Sequence, residues 1–282
     1  MLLLKRLVAF VVTSVTLFAG GTAAFAANEA AGQPHPWQID LQAGVTPVMD
    51  DIIWFHSFLT WIIIAIAVFV LVLLVTVIVR FNARANPVPS RTTHNTLIEV
   101  VWTVVPVLIL VAVAVPSFRL LFYELKIPAA DMTVKVTGKQ WFWSYSYPDQ
   151  KLEFDSLLIQ DKDLKPGQPR LLAVDNELVV PVNKVVRVLV TGADVIHSFS
   201  VPSFGIKIDA VPGRLNETWF KAEREGTYYG QCSQLCGRDH AFMPIAVRVV
   251  SEKDYAAWLE QAKKKYASDD SRPTAVAAAE IK

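Results

Sequence analysis

Residues 52–79 read IIWFHSFLTWIIIAIAVFVLVLLVTVIV, an apolar run in which His56 is the only ionisable side chain. An α-helix rises about 1.5 Å per residue, so a run of this length spans the roughly 30 Å hydrocarbon core of a bilayer with some tilt. Asp50 and Asp51 precede the run and Arg80 follows it. The run therefore predicts a transmembrane helix with polar residues at both ends.

A second apolar run covers residues 97–122, with Glu99 near its start and Arg119 near its end. The connecting loop, residues 80–96, contains no acid and carries three arginines, Arg80, Arg84 and Arg91. Because loops rich in arginine and lysine stay in the cytoplasm, we predict a two-helix hairpin over residues 51–126 with a cytoplasmic loop. Both flanking segments then lie on the exported side of the membrane.

The composition agrees with a membrane protein. The chain has 282 residues, of which 53% are hydrophobic, and a formal net charge of +1. Mean hydropathy is positive, which is unusual for a soluble protein. A charge so close to zero gives no indication of nucleic-acid binding.

The first residues resemble a secretory signal. Lys5 and Arg6 precede the apolar stretch 7–17, and Ala24-Phe25-Ala26 has the small-x-small pattern of a cleavage site. A third membrane helix is the alternative, but the apolar stretch is short and Gly20-Gly21 follows it. We therefore predict a signal peptide over residues 1–26 and an exported N-terminal segment over residues 27–50.

From residue 127 the pattern changes to short apolar runs separated by turns such as Pro166-Gly167 and Pro212-Gly213. This texture predicts a small antiparallel β-sandwich or Greek-key barrel over residues 127–250. Ser251 and Asp254 have the spacing of a capping box and predict a helix over residues 251–267, and the small, polar residues 268–282 predict a disordered tail. The predicted strands are 132–136, 141–147, 171–174, 178–180, 185–190, 218–220 and 246–250.

Both cysteines of the chain lie in the segment Cys232-Ser-Gln-Leu-Cys236-Gly-Arg-Asp-His240-Ala-Phe-Met243, which the strand pattern places in the loop between the last two strands. His197, near the end of a predicted strand, adds a second imidazole. Thiolate and imidazole ligands with a weak thioether favour copper, and these side chains suffice for two copper ions. Three other interpretations stay open: a disulfide, a structural Cys2His2 zinc site that leaves Met243 in the core, and a simple core role for His197.

Several motifs resemble subunit II of a bacterial, proton-pumping cytochrome c oxidase, and the similarity extends from about residue 54 to residue 250. The segments that carry it are Asn95-Thr-Leu-Ile-Glu99, Trp102-Thr-Val-Val-Pro106, Gly138-Lys-Gln-Trp-Phe-Trp-Ser-Tyr145, Asp194-Val-Ile-His-Ser198, Asp209-Ala-Val-Pro-Gly-Arg214 and the cysteine loop with Pro244. The resemblance implies a membrane α plus all-β protein, in which the two-helix transmembrane hairpin precedes a cupredoxin-like antiparallel β-sandwich or barrel.

The resemblance implies a binuclear, mixed-valence copper centre in the exported domain. Cys232 and Cys236 would be its bridging thiolates and His197 and His240 its terminal imidazoles. The thioether of Met243 and the backbone carbonyl of Gln234 would be the weak ligands. In many family members a glutamate at the position of Gln234 also binds Mg²⁺ beside subunit I. A neutral amide is a weaker ligand for this hard cation, which puts a magnesium site in question here.

The resemblance also implies a function. The chain would accept electrons from a periplasmic cytochrome c and pass them to haem in subunit I, where O2 is reduced to water, within a complex of the bacterial inner membrane. Trp141 would be the residue through which the electron enters, although the alternation Trp-Phe-Trp-Ser-Tyr is also normal for a half-buried strand. Four acidic residues would steer the basic cytochrome c: Asp149, Asp155, Asp175 and Asp194.

The resemblance makes Glu99 the cytoplasmic entrance of a proton path that continues in subunit I. An interfacial carboxylate without that role is the alternative, because Glu99 lies close to the end of the second helix. Three rival classes differ in sequence: a quinol oxidase subunit II lacks the copper ligands, a nitrous-oxide reductase has a further histidine-rich domain, and a copper-storage protein holds colourless Cu(I). A fused cytochrome c domain is excluded because the chain has no Cys-x-x-Cys-His motif.

Overall fold

The protein is described here from a computed structural model that covers residues 32–266, so the predicted signal peptide and the predicted C-terminal tail lie outside the described residues. Two long helices come first, α1 at Pro47–Arg80 and α2 at Thr96–Leu125. Both are long and apolar enough to cross a membrane. A terminal helix, α3 at Glu252–Tyr266, follows ten strands.

Helix α1 begins earlier than the hydropathy pattern predicts, so the end of the segment predicted over residues 27–50 is helical. Thr46 caps the helix, because its side-chain oxygen accepts a hydrogen bond from the backbone N–H of Met49 at 3.1 Å, and Pro47 occupies the first helical position. Asn95 caps α2 in the same way, accepting from the N–H of Ile98 at 3.2 Å. Capping extends both helices beyond their apolar runs.

The strands form two five-stranded sheets. The first sheet has the order β3-β2-β1-β5-β8 and the second has the order β4-β10-β9-β6-β7. The strand bounds are β1 Met132–Lys139, β2 Phe142–Tyr147, β3 Leu152–Ser156, β4 Leu178–Pro181, β5 Val185–Gly192, β6 His197–Val201, β7 Ile206–Ala210, β8 Asn216–Lys221, β9 Gly226–Cys232 and β10 Pro244–Val250.

The predicted sandwich is present, but its pairing is mixed rather than purely antiparallel. Strand β1 pairs in parallel with β5, and β10 pairs in parallel with β4. The predicted strand at residues 171–174 is wrong: this segment is a turn in which only Val174 makes an isolated bridge, to Leu158. Strands β3, β6, β7 and β9 were not predicted, because β3, β6 and β7 have only five residues each and glycine interrupts the apolar run of β9.

Aromatic side chains fill the space between the two sheets. Trp143 of β2 and Phe199 of β6 are fully buried, and their rings meet edge to face at 5.4 Å between centroids. Tyr147 stacks on Phe154, and Trp258 of α3 covers both. Aromatic pairs of this kind contribute about 0.5–1.5 kcal/mol each beyond the area they bury. The copper-ligand candidates therefore stand on a rigid framework.

The sandwich contacts the membrane hairpin at both helices. The indole N–H of Trp219 in β8 donates to the carbonyl oxygen of Glu124 in α2 at 3.1 Å. Before α1, the N–H of Val45 donates to the carbonyl oxygen of Ser203 at 3.0 Å. The N-terminal segment also lies along β9, where the N–H of Tyr229 donates to the carbonyl oxygen of Gly32 at 2.8 Å. These contacts hold the sandwich against one end of the hairpin.

Candidate metal centre

Two neighbouring strands bring the distant halves of the site together. Antiparallel pairing of β6 with β9 sets Phe199 opposite Cys232, so His197, the first residue of β6, lies beside the end of β9. His197 was expected near the end of a strand, and it lies at the N-terminal end of β6. Residues 233–243 form the loop to β10, as predicted, and include a single helical turn at His240–Phe242.

The donor atoms of the predicted ligands converge. The Sγ atoms of Cys232 and Cys236 are 3.9 Å apart. Nδ1 of His197 lies 3.9 Å from the Cys232 sulfur, and Nδ1 of His240 lies 3.6 Å from the Cys236 sulfur. The Met243 sulfur lies 3.5 Å from the Cys236 sulfur. These separations suit atoms that share a metal, whereas a disulfide needs sulfurs about 2.05 Å apart.

The remaining predicted ligand is a backbone atom. The carbonyl oxygen of Gln234 lies 3.3 Å from the sulfur of Cys232, while the Gln234 side chain is exposed. His197 and Met243 are 0% and 1% exposed, and both cysteines are buried free thiols. Among the described residues, His197, Cys232 and Cys236 form the group of donors able to hold a metal ion. The soft sulfur atoms, including the buried thioether, fit copper better than a zinc site in which Met243 has no part.

The two thiols have different proton affinities. Burial raises the pKa of Cys232, but hydrogen bonds with His197 and with the backbone outweigh burial and lower this pKa to about 6. Burial and the negative charge of Cys232 raise the pKa of Cys236 to about 12. Because two thiolates so close together repel each other, a bound cation is needed to keep both ionised near neutral pH.

Asp194 orients the imidazole of His197. Its Oδ1 atom accepts a hydrogen bond from Nε2 of His197 at 2.8 Å, and its carboxylate also accepts from the N–H groups of Gln140 at 2.7 Å and Val195 at 2.6 Å. Burial raises the pKa of Asp194, but these hydrogen bonds outweigh burial and lower it. Nδ1 of His197 is thereby left to face the cysteines, an arrangement common behind histidine ligands of metals. The Asp-x-x-His spacing of these two residues is a sequence signal from which their contact could have been predicted.

Gly138 leaves the space that His197 occupies. A Cβ atom at Gly138 would lie 2.8 Å from Cδ2 of His197, closer than carbon atoms approach. The glycine is at the end of β1, where this strand of the first sheet passes the first residue of β6 in the second. The glycine therefore permits the close approach of the two sheets at the site.

Trp141 lies against the cysteine loop and is half-buried. Its indole N–H donates to the carbonyl oxygen of Cys236 at 3.2 Å, and the side-chain amide of Gln140 donates to the same oxygen at 2.9 Å. A single hydrogen bond thus joins a partly exposed aromatic ring to the backbone of Cys236, a predicted ligand residue. Gln140 was not among the predicted site residues.

The predicted docking acids occupy different environments. Asp149 is exposed in the turn after β2, and Asp155 in β3 pairs with Lys139 at 3.6 Å and also bonds the Ser144 hydroxyl. Asp175 is exposed and accepts from the N–H of Leu157 at 2.7 Å. Asp194 differs from these three, because its carboxylate accepts a hydrogen bond from His197.

Glu99 lies in the first turn of α2. Its Oε1 atom accepts a hydrogen bond from the N–H of Asn95 at 3.2 Å, so that the Asn95 and Glu99 side chains cap the helix reciprocally. The other end of the same helix contacts the sandwich through Glu124. Glu99 is therefore remote from the candidate metal centre.

The fold and the site define a β-sandwich that holds a sulfur- and imidazole-rich metal centre and is attached to a membrane hairpin. The chain matches two protein-family models. Residues 132–250 match the periplasmic domain of cytochrome c oxidase subunit II, and residues 34–120 match the transmembrane domain of the same subunit. A protein of Rickettsia bellii (strain RML369-C) named "Probable cytochrome c oxidase subunit 2" is 56% identical over 230 residues, 81% of this chain and 86% of the relative. The chain belongs to the cytochrome c oxidase subunit II family.

Two further proteins are similar. The cytochrome c oxidase subunit 2 of Cereibacter sphaeroides is 49% identical over 253 residues, 83% of this chain and 84% of the relative. A crystal structure of the periplasmic domain of cytochrome oxidase subunit II of Bradyrhizobium japonicum is 68% identical, has a TM-score of 0.47 and covers 50% of this chain and 99% of its own. The predicted family and the class of two-pass membrane oxidoreductase subunit are confirmed. The family implies copper, and the electron-accepting role fits it.

Proposed function

We propose that this chain accepts single electrons from a cytochrome c at two copper ions and delivers them to haem in subunit I of the same oxidase. The observation that carries the proposal is the convergence of two buried thiols, two imidazoles and a thioether in one loop and one adjoining strand. When bound, the copper ions supply a one-electron redox centre. The stiff sandwich restricts movement of the ligands when the charge of the centre changes.

The grouping of the candidate ligands supports a proposal of two copper ions. Each cysteine sulfur has its own imidazole: His197 beside Cys232 and His240 beside Cys236. Each half also has its own weak donor, since the Gln234 carbonyl lies next to Cys232 and Met243 next to Cys236. This twofold grouping supports two copper ions that share both thiolates.

Trp141 is the proposed point at which the electron enters. Its ring is partly exposed, and its indole N–H is bonded to the carbonyl of Cys236. In this proposal Asp149, Asp155 and Asp175 steer a basic cytochrome c, because their carboxylates are exposed to solvent. Asp194 serves mainly to hold His197, and any contact with the donor protein is secondary.

The remaining parts of the proposal concern the complex and its membrane. We place the chain in the bacterial inner membrane with residues 80–96 in the cytoplasm, the sandwich in the periplasm, and subunit I and other oxidase subunits around the hairpin. Glu99 would then stand at the cytoplasmic mouth of a proton path. No role for Mg²⁺ is proposed, because the exposed Gln234 side chain offers a neutral amide in place of a carboxylate.

Electron paramagnetic resonance of the full chain, purified in detergent and supplied with copper, tests the proposal. One unpaired electron shared by two equivalent copper nuclei gives seven hyperfine lines, together with two copper ions per chain by elemental analysis. Four lines from a single copper ion, or stoichiometric zinc in protein isolated from cells, would contradict it. A copper-storage role would give bound Cu(I) without a resonance signal or visible absorption.

A further inference from the structure

The outer side of Trp141 is covered by the loop that holds the candidate copper ligands. The guanidinium carbon of Arg238 lies 5.3 Å from the centroid of the Trp141 ring, within the range of a cation–π interaction. The Arg238 side chain is 80% exposed, so its charge is presented to any protein that approaches the ring. A positive charge therefore stands over the residue proposed to receive electrons.

Asp239 fixes that charge in place. Its two carboxylate oxygens accept from Nε of Arg238 at 3.1 and 3.2 Å, and Oδ2 also accepts from Nη2 at 2.8 Å. A forked arginine–carboxylate pair has a preferred geometry, whereas a lone exposed arginine samples many rotamers. Pairing with Asp239 keeps the guanidinium over the indole. The carboxylate also lowers the net positive charge at this point of the surface.

Gly237 brings the chain close enough for this arrangement. Its φ is +121°, in the region that favours glycine, and a Cβ there would lie 3.1 Å from Cζ2 of Trp141 and 3.1 Å from Nε2 of Gln140. The backbone thus packs directly on the indole edge, and the next residue, Arg238, is carried over the ring. The loop's backbone thus brings Arg238 beside the ring, and the pairing with Asp239 holds its guanidinium there.

We propose that Arg238 determines specificity for the electron donor: stacked over Trp141 and paired with Asp239, its guanidinium weakens the association of uniformly cationic donors. The inference rests on the proposed role of Trp141. If the donor's surface carries a ring of lysines, the steering acids attract these lysines and Arg238 repels them. Like charges brought together at an interface suppress unsuitable partners. The donor this surface fits is a basic haem protein that places an acceptor oxygen opposite Arg238.

The test uses the purified oxidase complex with a strongly basic mitochondrial cytochrome c as the probe. We expect Arg238→Gln to lower KM for this probe about two- to fivefold at low ionic strength, the factor that one exposed charge pair is worth, with kcat unchanged. At high ionic strength the difference disappears because exposed charges are screened. Asp239→Asn should raise KM, and the double variant should return towards the wild-type value. Arg238→Lys retains the charge but loses the fork with Asp239, so its KM should lie between those of the wild type and Arg238→Gln.

A matched pair elsewhere on the same domain provides the control. Arg170 and Asp161 are both exposed and form an ion pair at 2.8 Å, and no contact of Arg170 with an aromatic ring is described. Arg170→Gln should leave KM for the probe nearly unchanged. The proposal would be overturned if Arg238→Gln had the same KM for the probe as Arg170→Gln. It would also be overturned if Arg238→Lys had the same KM as Arg238→Gln. Copper content and the visible spectrum, measured on every variant, must equal those of the wild type.

The same experiment separates this inference from the function on which it rests. Trp141→Phe, assayed alongside, reports whether electrons enter through the indole. If kcat of that variant were unchanged, the hypothesis that electrons enter through Trp141 would be rejected. A lower kcat in Trp141→Phe together with unaltered KM in Arg238→Gln would leave the role of Trp141 in place and remove only the role of Arg238.

Discussion

The carboxylate of Asp194 and the imidazole of His197 are joined by a hydrogen bond of 2.8 Å from Nε2, which turns Nδ1 towards the sulfur of Cys232. The imidazole is fully buried, and the carboxylate is fixed by two backbone N–H groups. The ligand nitrogen is thus selected by a residue that does not itself reach the cysteines.

Asp194→Asn should weaken copper binding without removing the ligands. An amide presents its oxygen or its NH2 group to Nε2 and loses the charge that fixes the tautomer, and a change behind a histidine ligand costs roughly 10- to 100-fold in metal affinity. Competition with a copper chelator measures this loss on the full chain. Asp209→Asn, an exposed aspartate on β7, is the control. Equal copper retention in the two variants would show that Asp194 does not support the ligand.

Substitution of the thiol and the thioether should have unequal effects. Cys236→Ser removes one of the two proposed bridging thiolates and should abolish the mixed-valence spectrum. Met243→Leu preserves the volume of the buried side chain and removes only a weak ligand, so copper should remain while the spectrum and the reduction potential change. Optical spectroscopy and redox titration distinguish the cases. A Cys236→Ser variant with the wild-type spectrum would rule out the bridging role.

Trp141→Phe should slow electron transfer from cytochrome c and leave its binding nearly unchanged. The ring remains, but the hydrogen bond to the Cys236 carbonyl is lost, at a stability cost of about 0.5–1.5 kcal/mol. Neutralising Asp155 should instead weaken binding, and only at low ionic strength. Stopped-flow kinetics at two salt concentrations separate the two effects. If both variants change binding equally, the division of roles is wrong.

Glu99→Ala should slow oxygen uptake by the purified complex, chiefly by slowing reduction of the haem–copper site of subunit I, which requires protons from the cytoplasm. Reduction of the copper centre of this chain should proceed at the normal rate, because Glu99 lies at the other end of the hairpin. Asn95→Ala removes the other half of the reciprocal cap and controls for loss of helix capping. Equal losses in both variants would assign Glu99 a capping role alone.

Glu177 provides a test of electrostatics away from the metal. Burial raises its pKa above the ordinary value of 4.5, although Arg248 at 2.8 Å acts in the opposite direction. The folded state therefore binds this proton more tightly than the unfolded state, so the contribution of Glu177 to stability is largest at acidic pH and declines as pH rises through the folded pKa. We expect the stability of the wild type relative to Glu177→Gln to be greater at pH 4 than at pH 7 in urea unfolding.

The sequence predicts best those parts of the fold that have long or valine-rich apolar runs. The helices α1 and α2 follow from long apolar runs, and the strands β5 and β10 from runs of valine. Strand β6, His-Ser-Phe-Ser-Val, has no such pattern, because its identity depends on pairing with β7 and β9. The parallel pairs were missed for the same reason, since the partner of a strand is set by tertiary packing.

The ligands were predicted from residue chemistry and spacing, whereas their supports were not. Asp194 was assigned to docking from the family resemblance, because its contact with His197 is not visible in the sequence. Gln140 and Arg238 have ordinary surface chemistry, and only the fold brings them to the carbonyl of Cys236 and the ring of Trp141. Such roles depend on long-range proximity, which a single sequence does not contain.

The backbone contact between Gly32 and Tyr229 constrains the order in which the protein is made. The carbonyl at Gly32 belongs to a segment synthesised before the hairpin, and the N–H at Tyr229 belongs to a strand synthesised long after it. Both must reach the same side of the membrane before they meet, so the early segment is exported and waits while two helices insert and most of the sandwich is translated. Closure of the second sheet is therefore a late event in biogenesis, and the candidate metal loop, which joins β9 to β10 of that sheet, takes its shape at the same stage.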